Sequence, residues 1–207
     1  GLGLTSGNLN GTASTIAEPS GATGGGVVFV TANWTAAYST DGGNIFTQLD
    51  PTTVFPNDAV GFCCDQIVQY VPSIDRFIWF LQGTGYRLAS ASPADIISSG
   101  GTAWTYWNLT PQVFGQPNGT GFDYPDMSVG NNQLYMSWDA GFGCPAGCRQ
   151  GLQVARTSLT GIQAGGTITI EFTDPPDARL AWGSHVMQDT GDEIFGDVTL
   201  DTRCEVL

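Results

Sequence analysis

Four titratable residues stand at matching places along this chain. Glu18, Asp65, Asp126 and His185 each lie near the start of the first strand-like piece of a successive sequence unit. Carboxylates that converge from neighbouring strands can hold Ca²⁺ or accept hydrogen bonds from sugar hydroxyls. The same groups can instead bond the backbone of the adjoining sheet and seal the junction. Beside them stands an aromatic set, Tyr86, Trp104, Tyr106, Trp107 and Tyr124, whose rings can stack on sugars or fill the core between sheets. The ligand-binding candidates are therefore Glu18, Asp65, Arg87, Tyr124, Asp126 and His185. No metal site is expected. The five cysteines (Cys63, Cys64, Cys144, Cys148 and Cys204) and the one histidine do not supply four convergent ligands at zinc spacing. No cofactor is expected, Ca²⁺ on the carboxylates being the one candidate.

The elements that must position these groups are short strands. Apolar residues come in β-branched and aromatic runs separated by Gly, Asp, Asn and Pro, as in Val27-Val-Phe-Val30, Phe77-Ile-Trp-Phe80, Leu134-Tyr-Met-Ser137 and Ile194-Phe195. Each run follows a turn, and before the turn lies another strand, most clearly Gln66–Tyr70, Met127–Val129 and His185–Met187. Third strands follow at Trp34–Thr40, Tyr86–Ser92 and Leu152–Ser158, and fourth strands at Ile45–Leu49, Trp104–Leu109 and Thr167–Phe172. The one helix candidate is a turn at Pro93–Ile97. A four-stranded antiparallel unit thus recurs about every 50 to 60 residues. Such a unit cannot bury both faces alone, so copies must pack side by side.

The expected fold is all-β, a β-propeller of four-stranded blades near 15–50, 61–110, 121–174 and 182–207, the last one partial; a β-sandwich is the rival. Residues 1–26 hold eight glycines and form a flexible or extended lead-in, with 1–14 outside the single domain of 15–207. Propellers close with about 4 to 8 blades. The ring must therefore be completed by the amino-terminal segment, by more chain, or by assembly of several copies.

Composition narrows the partners. The formal charge is −13, with 19 acidic residues against 6 basic ones, all arginine. No basic patch exists to displace counterions from phosphates, so nucleic acid is excluded as a partner, and no apolar run is long enough to span a membrane as a helix. Cys144-Pro-Ala-Gly-Cys148 reads as a small loop closed by a disulfide. Cys63 and Cys64 can reach different partners, bridge each other, or be small buried residues. Four sequons, at Asn10, Asn33, Asn108 and Asn118, join the acidic balance and the cysteines in favouring an extracellular or cell-surface protein.

Between the third and fourth strands of the first unit the chain reads Ser39-Thr-Asp41-Gly-Gly43-Asn-Ile-Phe46, which fits the S-x-D-x-G-x-x-F Asp-box. Its Ser and Asp bond the turn backbone, Gly permits the geometry, and the ring packs beneath. Ser92-Pro-Ala-Asp95 and Ser158-Leu-Thr-Gly161 are degenerate copies. On these residues, with Gly61–Gln66, Phe122–Asp126 and Tyr86–Ser92, the chain resembles the sialidase-like superfamily of Asp-box (BNR repeat) propellers over roughly residues 15–195. The segment after Glu193 departs from that pattern.

The resemblance implies the fold and leaves the activity open, since it spans hydrolases, binders and scaffolds. A sialidase-like enzyme needs three convergent arginines for a substrate carboxylate, a Tyr-Glu nucleophile pair and an Asp acid/base. Among Arg76, Arg87, Arg149, Arg156, Arg179 and Arg203, only Arg87 and Arg156 occupy third strands, and out of register. No Phe-Arg-Ile-Pro motif is present. The expectation is an extracellular, non-catalytic propeller that binds a glycan or protein, or self-associates into an oligomer or filament. The alternative is a glycoside hydrolase of the same superfamily.

Overall fold

The computed structural model describes residues 18–173 and two further strands, Trp182–Val186 and Phe195–Val198. Asn10, Cys204, the 1–14 lead-in and the turn before Phe195 lie outside the described residues.

Three four-stranded antiparallel sheets follow one another along the chain. The first comprises β1 (Ser20–Gly24), β2 (Val27–Ala32), β3 (Thr35–Ser39) and β4 (Thr47–Leu49). The second comprises β5 (Gln66–Val71), β6 (Arg76–Gln82), β7 (Tyr86–Ala91) and β8 (Thr105–Leu109). The third comprises β9 (Gly121–Gly130), β10 (Gln133–Phe142), β11 (Gly151–Ser158) and β12 (Glu171–Phe172). Within each sheet spatial order equals chain order. Strands β13 (Trp182–Val186) and β14 (Phe195–Val198) pair as a two-stranded sheet. The glycine-rich lead-in is more structured at its end than its composition predicts: Ser20–Gly24 is paired along its whole length with β2.

The sheets stack on one another through their faces. Strand β6 carries a continuous apolar run because both of its faces are covered. Phe77, Trp79 and Leu81 join Val27, Phe29 and Tyr38 of the first sheet. The alternate residues Ile78 and Phe80 join Met127, Leu134, Met136 and Trp138 of the third. Full burial of each such side chain contributes about 1.5–3 kcal/mol. This is the packing that a repeated unit with two apolar faces requires.

Buried amides fasten neighbouring sheets where the core ends. Gln66 Nε2 donates to the carbonyls of Ala32 (2.7 Å) and Thr35 (2.9 Å), while its Oε1 accepts from Trp79 Nε1 (2.9 Å). Gln69 Nε2 donates to the Met127 carbonyl at 2.6 Å, and Gln82 Nε2 to the Phe122 carbonyl at 2.7 Å.

At or just after the end of the third strand of each four-stranded sheet stands a serine that turns the chain. Ser39 Oγ accepts from the Gly43 N–H at 3.0 Å and donates to Asp41 Oδ1 at 2.7 Å. Asp41 Oδ1 also accepts from the Asn44 and Ile45 N–H groups at 3.0 Å. The Ile45 N–H, then the Ser39 hydroxyl, hold the Asp41 carboxyl below the ordinary value. In the second and third sheets the equivalent serines cap short helices. Ser92 and Asp95 form a reciprocal capping box at α2 (Pro93–Ser99), and Ser158 caps α3 (Leu159–Ala164). Helix α2 is thus longer than the single turn expected. Helices α1 (Pro51–Val54) and α3 are four and six residues long, too short to show a helical period in the sequence.

Candidate active site

Register places the starts of β1, β5 and β9 at one end of the stacked sheets, together with the β2–β3 turn. A cleft of about 420 Å³ opens there, lined by Glu18, Ser20, Asp65, Tyr124, Pro125 and Asp126 among others. Three of the expected carboxylates, Glu18, Asp65 and Asp126, and the expected Tyr124 therefore come together.

Asp65 is at the centre. Its carboxyl is hydrogen-bonded to the side chains of Glu18 and Asp123. Burial first, then the charges of Glu18 and Asp123, push it from an ordinary 3.8 up to about 7. Burial and the neighbouring like charges thus favour the protonated form of Asp65. Glu18 is held from outside by Asn33, whose Nδ2 donates to Oε2 at 3.0 Å. Gln82 holds the inner pair: its N–H donates to the Asp65 carbonyl at 2.9 Å, and its Nε2 reaches Asp123 Oδ1 at 3.3 Å. Below them Tyr86 is fully buried and donates to the Asp123 carbonyl at 3.2 Å. Burial, then Asp123, Asp65 and Asp139, raise its phenol well above the ordinary value. Asp126 Oδ1 accepts from the Met127 N–H at 2.9 Å.

Two groups at this site escaped the sequence reading. Asp123 stands in the Phe122–Asp126 stretch, but β9 starts earlier than expected, and a register shift between Asp123 and Asp126 puts both at the cleft end. Gln82 carries no motif. The signal was its place on the strand after Asp65, which only pairing reveals.

Arg87 is corrected. It is 1% exposed and far from free: Nη2 contacts Asp58 Oδ1 at 2.6 Å, Nη1 donates to the Gly61 carbonyl at 3.2 Å, and Nε to Asn108 Oδ1 at 3.1 Å. Its guanidinium lies 4.9 Å from the Phe55 ring centroid and 5.3 Å from that of Tyr106. Burial raises the Asp58 carboxyl, but hydrogen bonds from Asn108 and Gly61 and the Arg87 charge outweigh it and hold Asp58 below the ordinary value. Arg87 is thus a fastening of the second sheet and does not reach the cleft. His185 lies on β13, whose side chains are outside the description. Of the aromatic set, Tyr86 is core, Trp104 and Trp107 pack against it from the edge, and Tyr106 and Tyr124 are exposed.

The cysteines flank this region. Cys63 and Cys64, immediately before Asp65, are paired with each other, and Cys144 is paired with Cys148. Of the sequons within the description, Asn33 and Asn108 spend their amide N–H on Glu18 and Asp58, and Asn118 is exposed on a turn. Among the described residues no group of three or more His, Cys, Asp or Glu is arranged to hold a metal ion, and no helix is long and apolar enough to cross a membrane.

No known family and no curated protein matches the sequence. Solved structures do match. An α-L-arabinofuranosidase from Podospora anserina, solved with cellotriose, superposes with a TM-score of 0.52 at 12% identity, over 94% of this chain and 67% of that one. An arabinanase from Bacillus subtilis aligns at 12% identity over 93% and 92% of the two chains, with a TM-score of 0.31. The catalytic domain of a GH62 α-L-arabinofuranosidase from Coprinopsis cinerea aligns at 9% identity over 92% and 86%, with a TM-score of 0.28. The last two superpose too loosely to bear on this chain. The first shares the all-β arrangement of stacked four-stranded antiparallel sheets; it is itself a β-propeller glycosidase. Two expectations change accordingly. The sialidase-like resemblance is replaced by the coarser likeness to propeller-type glycosidases. The expectation of a non-catalytic glycan- or protein-binding or assembly module is corrected: a structure that shares the fold is an α-L-arabinofuranosidase, which favours the glycoside hydrolase alternative.

Proposed function

We propose that this chain is a glycoside hydrolase acting on a neutral sugar, with the cleft at the starts of β1, β5 and β9 as its active site. The observation that carries the reading is Asp65. It is a carboxyl kept protonated near neutrality by burial and by Glu18 and Asp123, in a cleft wide enough for a sugar ring. Such a group donates a proton to a glycosidic oxygen as the C–O bond breaks. A second carboxylate must act at the anomeric carbon, about 5–9.5 Å from the acid. Glu18 and Asp123 are in direct hydrogen-bonding contact with Asp65 and too close for that role. Asp126 is the remaining carboxylate lining the cleft and is assigned as base or nucleophile. Glu18 and Asp123 then serve to keep the proton on Asp65.

No arginine lines the cleft among the described residues, and its carboxylates repel an anionic sugar, so the substrate is uncharged. Arabinofuranosides are the first to try, as the substrate class named for the P. anserina enzyme. The sheets act as blades of a propeller whose central end holds the site. The two disulfides support secretion into an oxidising compartment.

The test is leaving-group dependence. Asp65→Asn should lose about 10²–10⁴-fold on an oligosaccharide, whose leaving group needs the proton. It should retain most activity on a 2,4-dinitrophenyl glycoside, which does not. Asp126→Asn should lose both, with azide restoring turnover. Equal retention of both activities by Asp65→Asn would exclude it as the acid.

A further inference from the structure

Among the described residues, five that are not glycine have φ in the left-handed region: Glu18 (35°), Trp34 (72°), Asp75 (51°), Tyr124 (59°) and Asn132 (53°). Asp75 and Asn132 sit in the β5–β6 and β9–β10 turns, at the end of the sheets away from the cleft. Asp and Asn are the types that tolerate this conformation at little cost. Glu18, Trp34 and Tyr124 are different. They are larger side chains, they gain nothing from a left-handed backbone, and all three stand at the cleft end. Strain of this kind persists where a side chain is needed in place.

Trp34 is the informative member. With Asn33 it forms the two-residue turn between β2 and β3, where φ is positive at the second position only. Glycine or asparagine is the favoured residue there. The residue is 37% exposed, and its ring meets Phe62 in a T-shaped pair with centroids 6.0 Å apart. Its backbone ties it to both sides of the carboxylate cluster. Asn33, just before it, holds Glu18, and the Trp34 N–H donates to the carbonyl of Cys64, just before Asp65, at 3.4 Å. Tyr124, 45% exposed, lines the cleft from the third sheet.

We infer that Trp34 is a sugar-stacking platform at the mouth of the cleft, a subsite that holds a residue of a neutral oligosaccharide beyond the one being cleaved. The inference rests on the glycoside hydrolase reading. A broad aromatic face is the recognition element for the apolar face of a pyranose or furanose ring, and an uncharged subsite suits a cleft without cations. The backbone strain at Trp34 is the cost of presenting that face, which a smaller residue would avoid.

The test compares the wild type with Trp34→Asn and Trp34→Phe on two substrates carrying the same glycosyl group: a 4-nitrophenyl α-L-arabinofuranoside, and arabinan or arabinoxylan. Trp34→Asn should raise KM on the polymer about ten-fold more than it changes KM on the aryl glycoside, and melt no lower than the wild type, since asparagine suits the turn. Trp34→Phe should recover part of the polymer KM. Unchanged polymer KM in Trp34→Asn would overturn the subsite, as would a lowered melting temperature with equal losses on both substrates, which marks a purely structural role. Absence of turnover by the wild type on either substrate would instead count against the hydrolase reading on which the subsite depends.

Discussion

Replacing Asp65 by asparagine should make the protein more stable at alkaline pH and leave it unchanged at acid pH. The folded state raises this carboxyl from 3.8 to about 7, so the folded chain binds the proton more tightly than the unfolded chain. The stability gained from that proton is fully present below pH 3.8 and is lost as pH rises through about 7. At ~1.36 kcal/mol per pH unit the full effect is ~4 kcal/mol. Asp65 is only half-buried and faces an open cleft, and solvent screening reduces this to about 1–2 kcal/mol. Asparagine keeps a donor for Glu18 and Asp123 and never acquires the third negative charge. The difference between variant and wild type should therefore be near zero at pH 4. By pH 8 it should reach about 1–2 kcal/mol, or roughly 2–8 °C in melting temperature for a chain of this size. Calorimetric melts of both proteins across that range measure it, with the other carboxylates cancelling in the difference. A gap that does not change with pH, or a wild type that is the more stable at pH 8, would refute the account of a raised Asp65 carboxyl.

Three further outcomes follow from the fastenings around the site. Arg87→Met removes the cation from Asp58, which keeps its bonds from Asn108, Val60 and Gly61, and should cost about 2–4 kcal/mol in urea unfolding. Asp58→Asn in the same chain should return part of it. Gln66→Ala leaves two carbonyls and the Trp79 indole N–H unpaired at the junction of the first two sheets and should cost about 2–3 kcal/mol by the same assay. Gln82→Ala frees Asp123 from its position against Asp65, so the Asp65 carboxyl should titrate below 7, moving toward 3.8. Carbon-13 NMR titration of the carboxyl groups reads this directly.

The strands were legible because their burial is two-sided. Phe77–Phe80 has no polar alternation, and such a run makes sense only if both faces of β6 are covered, as they are. Glu18, Asp65 and Asp126 were legible for the same reason, since a repeat fixes which residues share an end. Asp123 was not, because a register shift inside β9 carries it to that end and no composition signal marks the shift. Arg87 misled because an arginine in a third strand looks like a ligand group. Its partners Asp58 and Asn108 lie 29 and 21 residues away in the chain, and only the fold brings them together. The arginine test asked about one anionic sugar only, and it carries no information about uncharged ones.

The most direct measurement is the pH dependence of kcat/KM on a neutral oligosaccharide. With Asp65 as the proton donor, kcat/KM should fall above about pH 7 in the wild type. The residual activity of Asp65→Asn on an activated aryl glycoside should show no such limb. A wild-type profile that stays flat from about pH 6 to 9, or no turnover of any neutral glycoside, would contradict the account.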